Sequence, residues 1–209
     1  MKKLFGGMKM TWLKVIVFAI IAGMYSGAVM LIPFLKDTSF QDIGIYYEWW
    51  VVFAVVVVVN CDKWWDAMLK CFAFFLISQP IFYLTKIVFG STTFEAAWHS
   101  YRQWWLPMTF LTLPGGLIAY FCKKQNVFGA IILALGNTIQ LTMSLAYFIL
   151  AIRDFPHHLL SVLFCVGSVI IMSMYIQHEK KNRLIAMLLP IALTLCILVW
   201  LKLDGRVLI

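Results

Sequence analysis

Seven stretches of this chain are almost free of charge, and most of them reach the roughly 20 residues a helix needs to cross the hydrocarbon core of a bilayer. They fall at about 11–35, 45–61, 65–90, 103–122, 127–152, 157–177 and 184–202. That repetition constrains the fold more than any other feature. A backbone in lipid has no water to bond, so each run must satisfy its own N–H and C=O groups, which a helix does and a lone strand does not. The links between the runs are too short for a soluble domain. The sequence therefore predicts an all-α integral membrane protein: a single polytopic domain, residues 1–209, forming a compact bundle of about seven transmembrane helices.

Composition agrees, with 63% hydrophobic and 12% charged residues, where a soluble domain is near half apolar and a quarter charged. Met1-Lys2-Lys3 leads through a short linker into a run too long for a signal-peptide core, and no small-residue cleavage site follows. Alternating the seven runs across a membrane separates the charges. The ends on the side of the N-terminus carry eleven Lys and Arg against three acids, and the opposite ends carry six against six. Cytoplasmic ends hold such an excess, so the N-terminus is expected inside and the C-terminus outside, in a bacterial cytoplasmic membrane. The net charge of +8 then belongs to topology and lipid headgroups, not to nucleic acid.

Aromatic residues mark the same boundaries. Trp49-Trp50 and Trp64-Trp65 bracket the second run, about 22 Å apart along a helix, as interfacial belts would be. Between the third and fourth runs, Phe94, Trp98, Tyr101 and Trp105 recur at helical spacing beside Glu95, His99 and Arg102. This pattern, with Thr92 and Glu95 as a capping box, predicts a short amphipathic surface helix near 92–102.

No Asp, Glu, Arg or His falls near the centre of any run, so an ion-coupling group is not apparent. Asp66 and Lys70, at i and i+4, are expected to pair. Three consecutive runs carry uncharged polar or helix-breaking residues at similar depth. The third holds Gln79, Tyr83 and Lys86 along one stripe, with Pro80 freeing a backbone carbonyl. The fourth holds Pro114-Gly115-Gly116, the most breakable point of the chain, and the fifth holds Asn137, Gln140 and Ser144. Transporters build midplane sites from such interruptions, although Gln, Asn and Ser also bridge helices without any ligand. The candidate substrate-binding set is Gln79, Tyr83, Lys86, Pro114, Gly115, Asn137 and Gln140, around a polar cavity between the third, fourth and fifth runs.

Ala19, Gly23 and Gly27 make a small-residue stripe on the first run, which lets another helix approach closely, within this chain or on a partner. The five cysteines show no CxxC or Cys/His spacing and read as small buried hydrophobes. Arg153, Asp154, His157 and His158 cluster between the fifth and sixth runs, with Asp42, Glu48 and His99 facing the same side, but form no metal-ligand motif. Nucleophile elbows, HExxH, P-loops and GxGxxG are absent, so neither catalysis nor a cofactor is expected.

In size, an inside N-terminus and the Ala19, Gly23, Gly27 stripe, the chain resembles the small substrate-binding membrane subunits of energy-coupling-factor vitamin importers. Those have six spans, and the resemblance would imply an ATPase-containing partner. The expectation is a small-solute or lipid-handling transporter, or the substrate-binding subunit of one, embedded in the bilayer with a small-molecule ligand. A non-catalytic assembly or scaffold subunit is the alternative, and an intramembrane enzyme the third reading.

Overall fold

The computed structural model describes residues 4–203, and at 43–45, 47 and 201–203 the backbone alone. Lys2, Lys3, Asp204 and Arg206, which enter the charge asymmetry, lie outside the described residues. Among the described residues the regular structure is all helix, without strands: α1 (Trp12–Val29), α2 (Ser39–Ile45), α3 (Tyr47–Val59), α4 (Trp64–Val88), α5 (Phe94–Ser100), α6 (Leu106–Tyr120), α7 (Val127–Arg153), α8 (Leu159–Ile176) and α9 (Lys180–Leu203). Six helical stretches are long and apolar enough to cross a membrane; five are α1, α4, α7, α8 and the bulk of α9. The sixth, Phe94–Lys123, joins α5 and α6 through a π-helical turn at Tyr101–Trp105. Large side chains such as Ile21, Phe110, Leu111, Leu188 and Val199 stand exposed on these helices. An apolar exterior of this kind suits lipid, whereas in water it would drive aggregation.

The second apolar run departs from expectation. The run expected over 45–61 forms one helix, α3, but a shorter one, and a separate helix α2 precedes it, the two meeting at Tyr46, which is extended (φ −88°, ψ 175°) and caps both. α3 has 13 residues, about 20 Å of helix, short of the roughly 30 Å core. Its valine-rich sequence reads as a span by hydropathy alone, but Gly44 and the β-branched Ile45 beside two tyrosines are poor material for continuing a helix. Pro114-Gly115-Gly116, expected to unwind, stays inside an unbroken α6.

The surface helix expected near 92–102 is present as α5 but runs on into α6. Its N-cap is Thr93, whose hydroxyl accepts from Ala96 N, rather than Thr92. Phe94 and Trp98 are exposed while Ala97 and Tyr101 are buried.

Packing follows the small residues. α1 lies along α4 so closely that a methyl group at Gly23 would sit 2.4 Å from the Ser78 carbonyl oxygen, and one at Gly27 would sit 2.6 Å from Thr85 Cβ. Ala19 is fully buried in the same stripe. The stripe therefore meets a helix of its own chain. α3 touches both α4 and α7, while α8 and α9 pack on α7. At the end where α1 begins, Asn60 holds the N-terminal segment: its Oδ1 accepts from Gly6 N (3.1 Å) and Met8 N (3.0 Å), and its Nδ2 donates to Leu4 O. Asp66 and Lys70 pair at 2.7 Å, and Lys70 Nζ also donates to Met10 O at 2.6 Å.

Candidate functional site

The seven candidate residues fall into separate surroundings, because α3 occupies the space next to α4 and α7. Gln79 is buried with its Nε2 unpartnered. Tyr83 lines a 370 Å³ groove with Pro80, Trp98 and Tyr101, its ring edge-on to Tyr101. Lys86 lies 5.5 Å over the Phe82 ring in the last turn of α4. Pro114 is exposed, and Gly115 lines a 270 Å³ apolar groove with Trp50, Phe75 and Trp105. Asn137 donates to Ser173 Oγ (3.0 Å) and Ala186 O (2.9 Å), tying α7 to α8 and α9. Gln140 turns the other way and donates from Nε2 to the Glu48 carbonyl at 2.8 Å.

That last contact leads to a cluster the sequence did not single out. Glu48 and Asp42, expected to face outward, are buried, with 0% and 4% exposure. Tyr147 donates its hydroxyl to Glu48 Oε1 at 2.5 Å. His158 Nδ1 lies 2.6 Å from Asp42 Oδ2, and Ser161 Oγ donates to the same oxygen at 2.7 Å. Ser161 N donates to Ser39 Oγ. The Tyr147 and His158 rings lie nearly parallel, 9° apart, with centroids 6.2 Å apart. His158 holds a left-handed backbone (φ 65°) as it caps α8, a conformation unusual for a residue with a Cβ.

The break positions these groups. Asp42 and Glu48 each occupy the first turn of their helix, where unpaired N–H groups favour a carboxylate. Gln140 is the central residue of α7, Val127–Arg153, so its hydrogen bond holds Glu48 level with the middle of the longest helix. No run carries an acid at its own centre, yet packing brings the N-terminal end of α3 level with the middle of α7. Glu48 stands near the start of α3, as the run predicts, but that start is buried in the bundle.

The arrangement leaves one carboxylate oxygen without a donor. Removing a carboxylate from water costs several kcal/mol unless it is paired, and Glu48 Oε2 has no hydrogen-bond partner. Ser161 and His158 share one oxygen of Asp42 rather than forming a serine–histidine–aspartate relay, so no activated nucleophile results. Among the described residues no group of three or more His, Cys, Asp or Glu could hold a metal ion. Burial, ahead of the nearby Asp66 charge, pushes the Cys61 thiol up to about 12, which leaves it unreactive.

A second polar feature lies at the opposite end of the bundle. A 610 Å³ cavity there is lined by Lys9, Asn60, Asp62, Lys123, Gln125 and His178, among others. Much of its polarity is structural: Lys123 donates to Cys61 O, Tyr120 OH to Asp62 O, and Gln125 Nε2 to Ile176 O.

The fold and the buried cluster define a class, an all-helical multi-pass membrane protein with an acidic site in its interior. Beyond that class, comparison with protein-family models, curated proteins and solved structures returns no match for this chain.

Proposed function

We propose that this protein is a small-solute or lipid-handling membrane transporter, or the substrate-binding membrane subunit of one, whose working centre is the break between α2 and α3. The observation that carries this reading is Glu48, buried level with the middle of α7 by Tyr147 and Gln140. Ionisable groups at such depth are costly and mark solute or ion pathways, and helices that break in the membrane interior are a common way of building them. The charge asymmetry of the helix ends supports a cytoplasmic N-terminus in a bacterial cytoplasmic membrane. With the acids inside, the centre suits a cationic or cation-coupled solute. The scaffold reading loses its main support, because Gly23 and Gly27 are closed off by α4.

Purified protein reconstituted in liposomes and screened against labelled amines, amino acids, vitamins and lipids tests the proposal. Uptake or lipid translocation of at least one class is expected, falling more than tenfold in Glu48→Gln. Undiminished transport in that variant, or none by the wild type across the panel, would overturn it.

A further inference from the structure

The 610 Å³ cavity at the end of the bundle away from the buried acids is walled by four stretches of chain, near residues 5–9, 59–62, 123–125 and 175–178. Their backbones are tied to one another. Asn60 Oδ1 accepts from Gly6 N and Met8 N, and Lys123 Nζ donates to Cys61 O in the next position. Gln125 joins the remaining two stretches: its Nε2 donates to Lys123 O (3.0 Å) and Ile176 O (2.7 Å), and its Oε1 accepts from His178 N (2.7 Å). The walls are therefore fixed by Asn60, Lys123 and Gln125, and two other polar side chains of the lining are left over.

Those two are Lys9 and His178. Both are exposed, and neither side chain makes a hydrogen bond or ion pair with any described residue. The Lys123 ammonium, besides its carbonyl, lies 4.1 Å from the centroid of the Tyr120 ring, so its charge too meets no carboxylate. Asp62 is the acid of the lining, and the ion pairs among the described residues lie elsewhere. A cavity of this size suits a small-molecule ligand, and two lysines and a histidine against one acid favour an anion. The lining holds no arginine, so it offers separate point charges rather than one planar fork. A phosphate, with about two negative charges and oxygens spread around phosphorus, uses that arrangement better than a flat carboxylate does.

We propose that this cavity binds a phosphate group, carried by a soluble phosphorylated molecule or by a lipid headgroup, with Lys9, Lys123 and His178 as its cationic ligands. The site stands apart from the break between α2 and α3 and does not rest on the transport reading. Full-length protein in phosphatidylcholine nanodiscs is titrated with pyrophosphate and AMP at constant ionic strength. In a second arm, protein from discs of mixed phosphatidylglycerol and phosphatidylcholine is gently delipidated, and the retained lipid is identified by native mass spectrometry. Saturable binding of either solute identifies a soluble source, and enrichment of phosphatidylglycerol over phosphatidylcholine identifies a lipid. Whichever is seen should weaken about tenfold when Lys9→Gln and His178→Gln are combined; both side chains are exposed, so the fold is kept. Asp62→Asn should tighten it about threefold. Lys63→Gln combined with Lys180→Gln removes two exposed charges at the same end but outside the cavity, and should change it by less than about twofold. Neither binding nor enrichment in the wild type overturns the proposal. So does undiminished binding in the Lys9 and His178 variant, or an equal loss in the Lys63 and Lys180 variant, which would reduce the attraction to general surface charge.

Discussion

Two contacts in this bundle use similar residues to opposite ends. Along α1 and α4, Gly23 and Gly27 bring backbone against side chain and backbone, and Ser26 and Ser78 are buried within the same pair of helices. Between α2, α3, α7 and α8, polar side chains instead hold two carboxylates in the interior. The first contact is made by removing side chains and draws on close packing, the main attraction available between helices in lipid. The second is made by adding charge, which lipid penalises, and persists only because each acid has been given partners. A polar residue inside a membrane bundle therefore says little until its neighbours are known.

The contrast can be broken by substitution. Gly23→Leu should do the most damage, about 3 kcal/mol or more, because its Cβ meets the Ser78 carbonyl and backbone cannot yield. Loss of monodisperse protein on size exclusion would show it, and an unchanged elution and melting profile would contradict the packing described. Asp42→Ala removes the shared acceptor of His158 and Ser161, at about 2 kcal/mol. Faster hydrogen exchange over residues 39–45 is the expected signature, with α1 and α4 unaffected. Tyr147→Phe deletes one donor to Glu48 and should cost about 1.5 kcal/mol, read as a melting-temperature drop of roughly 3–6 °C.

The smallest effects separate neighbouring glycines of α6. A methyl group at Gly116 meets Cys71 Cβ at 2.9 Å, whereas at Gly115 nothing lies within 4 Å. Gly116→Ala should therefore destabilise by about 1 kcal/mol. Gly115→Ala should be neutral or stabilising by up to about 1 kcal/mol, as alanine is the better helix former. Equal melting temperatures for the two variants would remove the distinction between a closed and an open face of α6.

How much of this was readable in advance depends on the range of the interaction. The Asp66–Lys70 pair is local, four residues apart on one helix, and was legible from spacing. So were most of the long apolar helices, since each is a property of its own stretch. The short α2 before α3, and the break at Tyr46, were not, because neither is long or apolar enough to show in hydropathy. Pro114-Gly115-Gly116 carried the stronger breaking signal, yet α6 runs through it, while the chain breaks at Tyr46, where the second run begins. Gln140 was noticed as polar, but its bond to Glu48 joins residues 92 positions apart, and no periodicity connects them. His158 and Asp42, 116 positions apart, were assigned to the exterior because both lie near the ends of apolar runs.

The sequence by itself determined that this chain belongs in a membrane as a helical bundle, and which helix surface is smooth enough for close approach. Those properties follow from the solvation of each segment and the size of its side chains. Tertiary structure alone decided that α2 and α3 part at Tyr46, and that Asp42 and Glu48 turn inward. A buried carboxylate is tolerable only once the phenol of Tyr147, or the imidazole of His158 and the hydroxyl of Ser161, have been brought to it from distant helices.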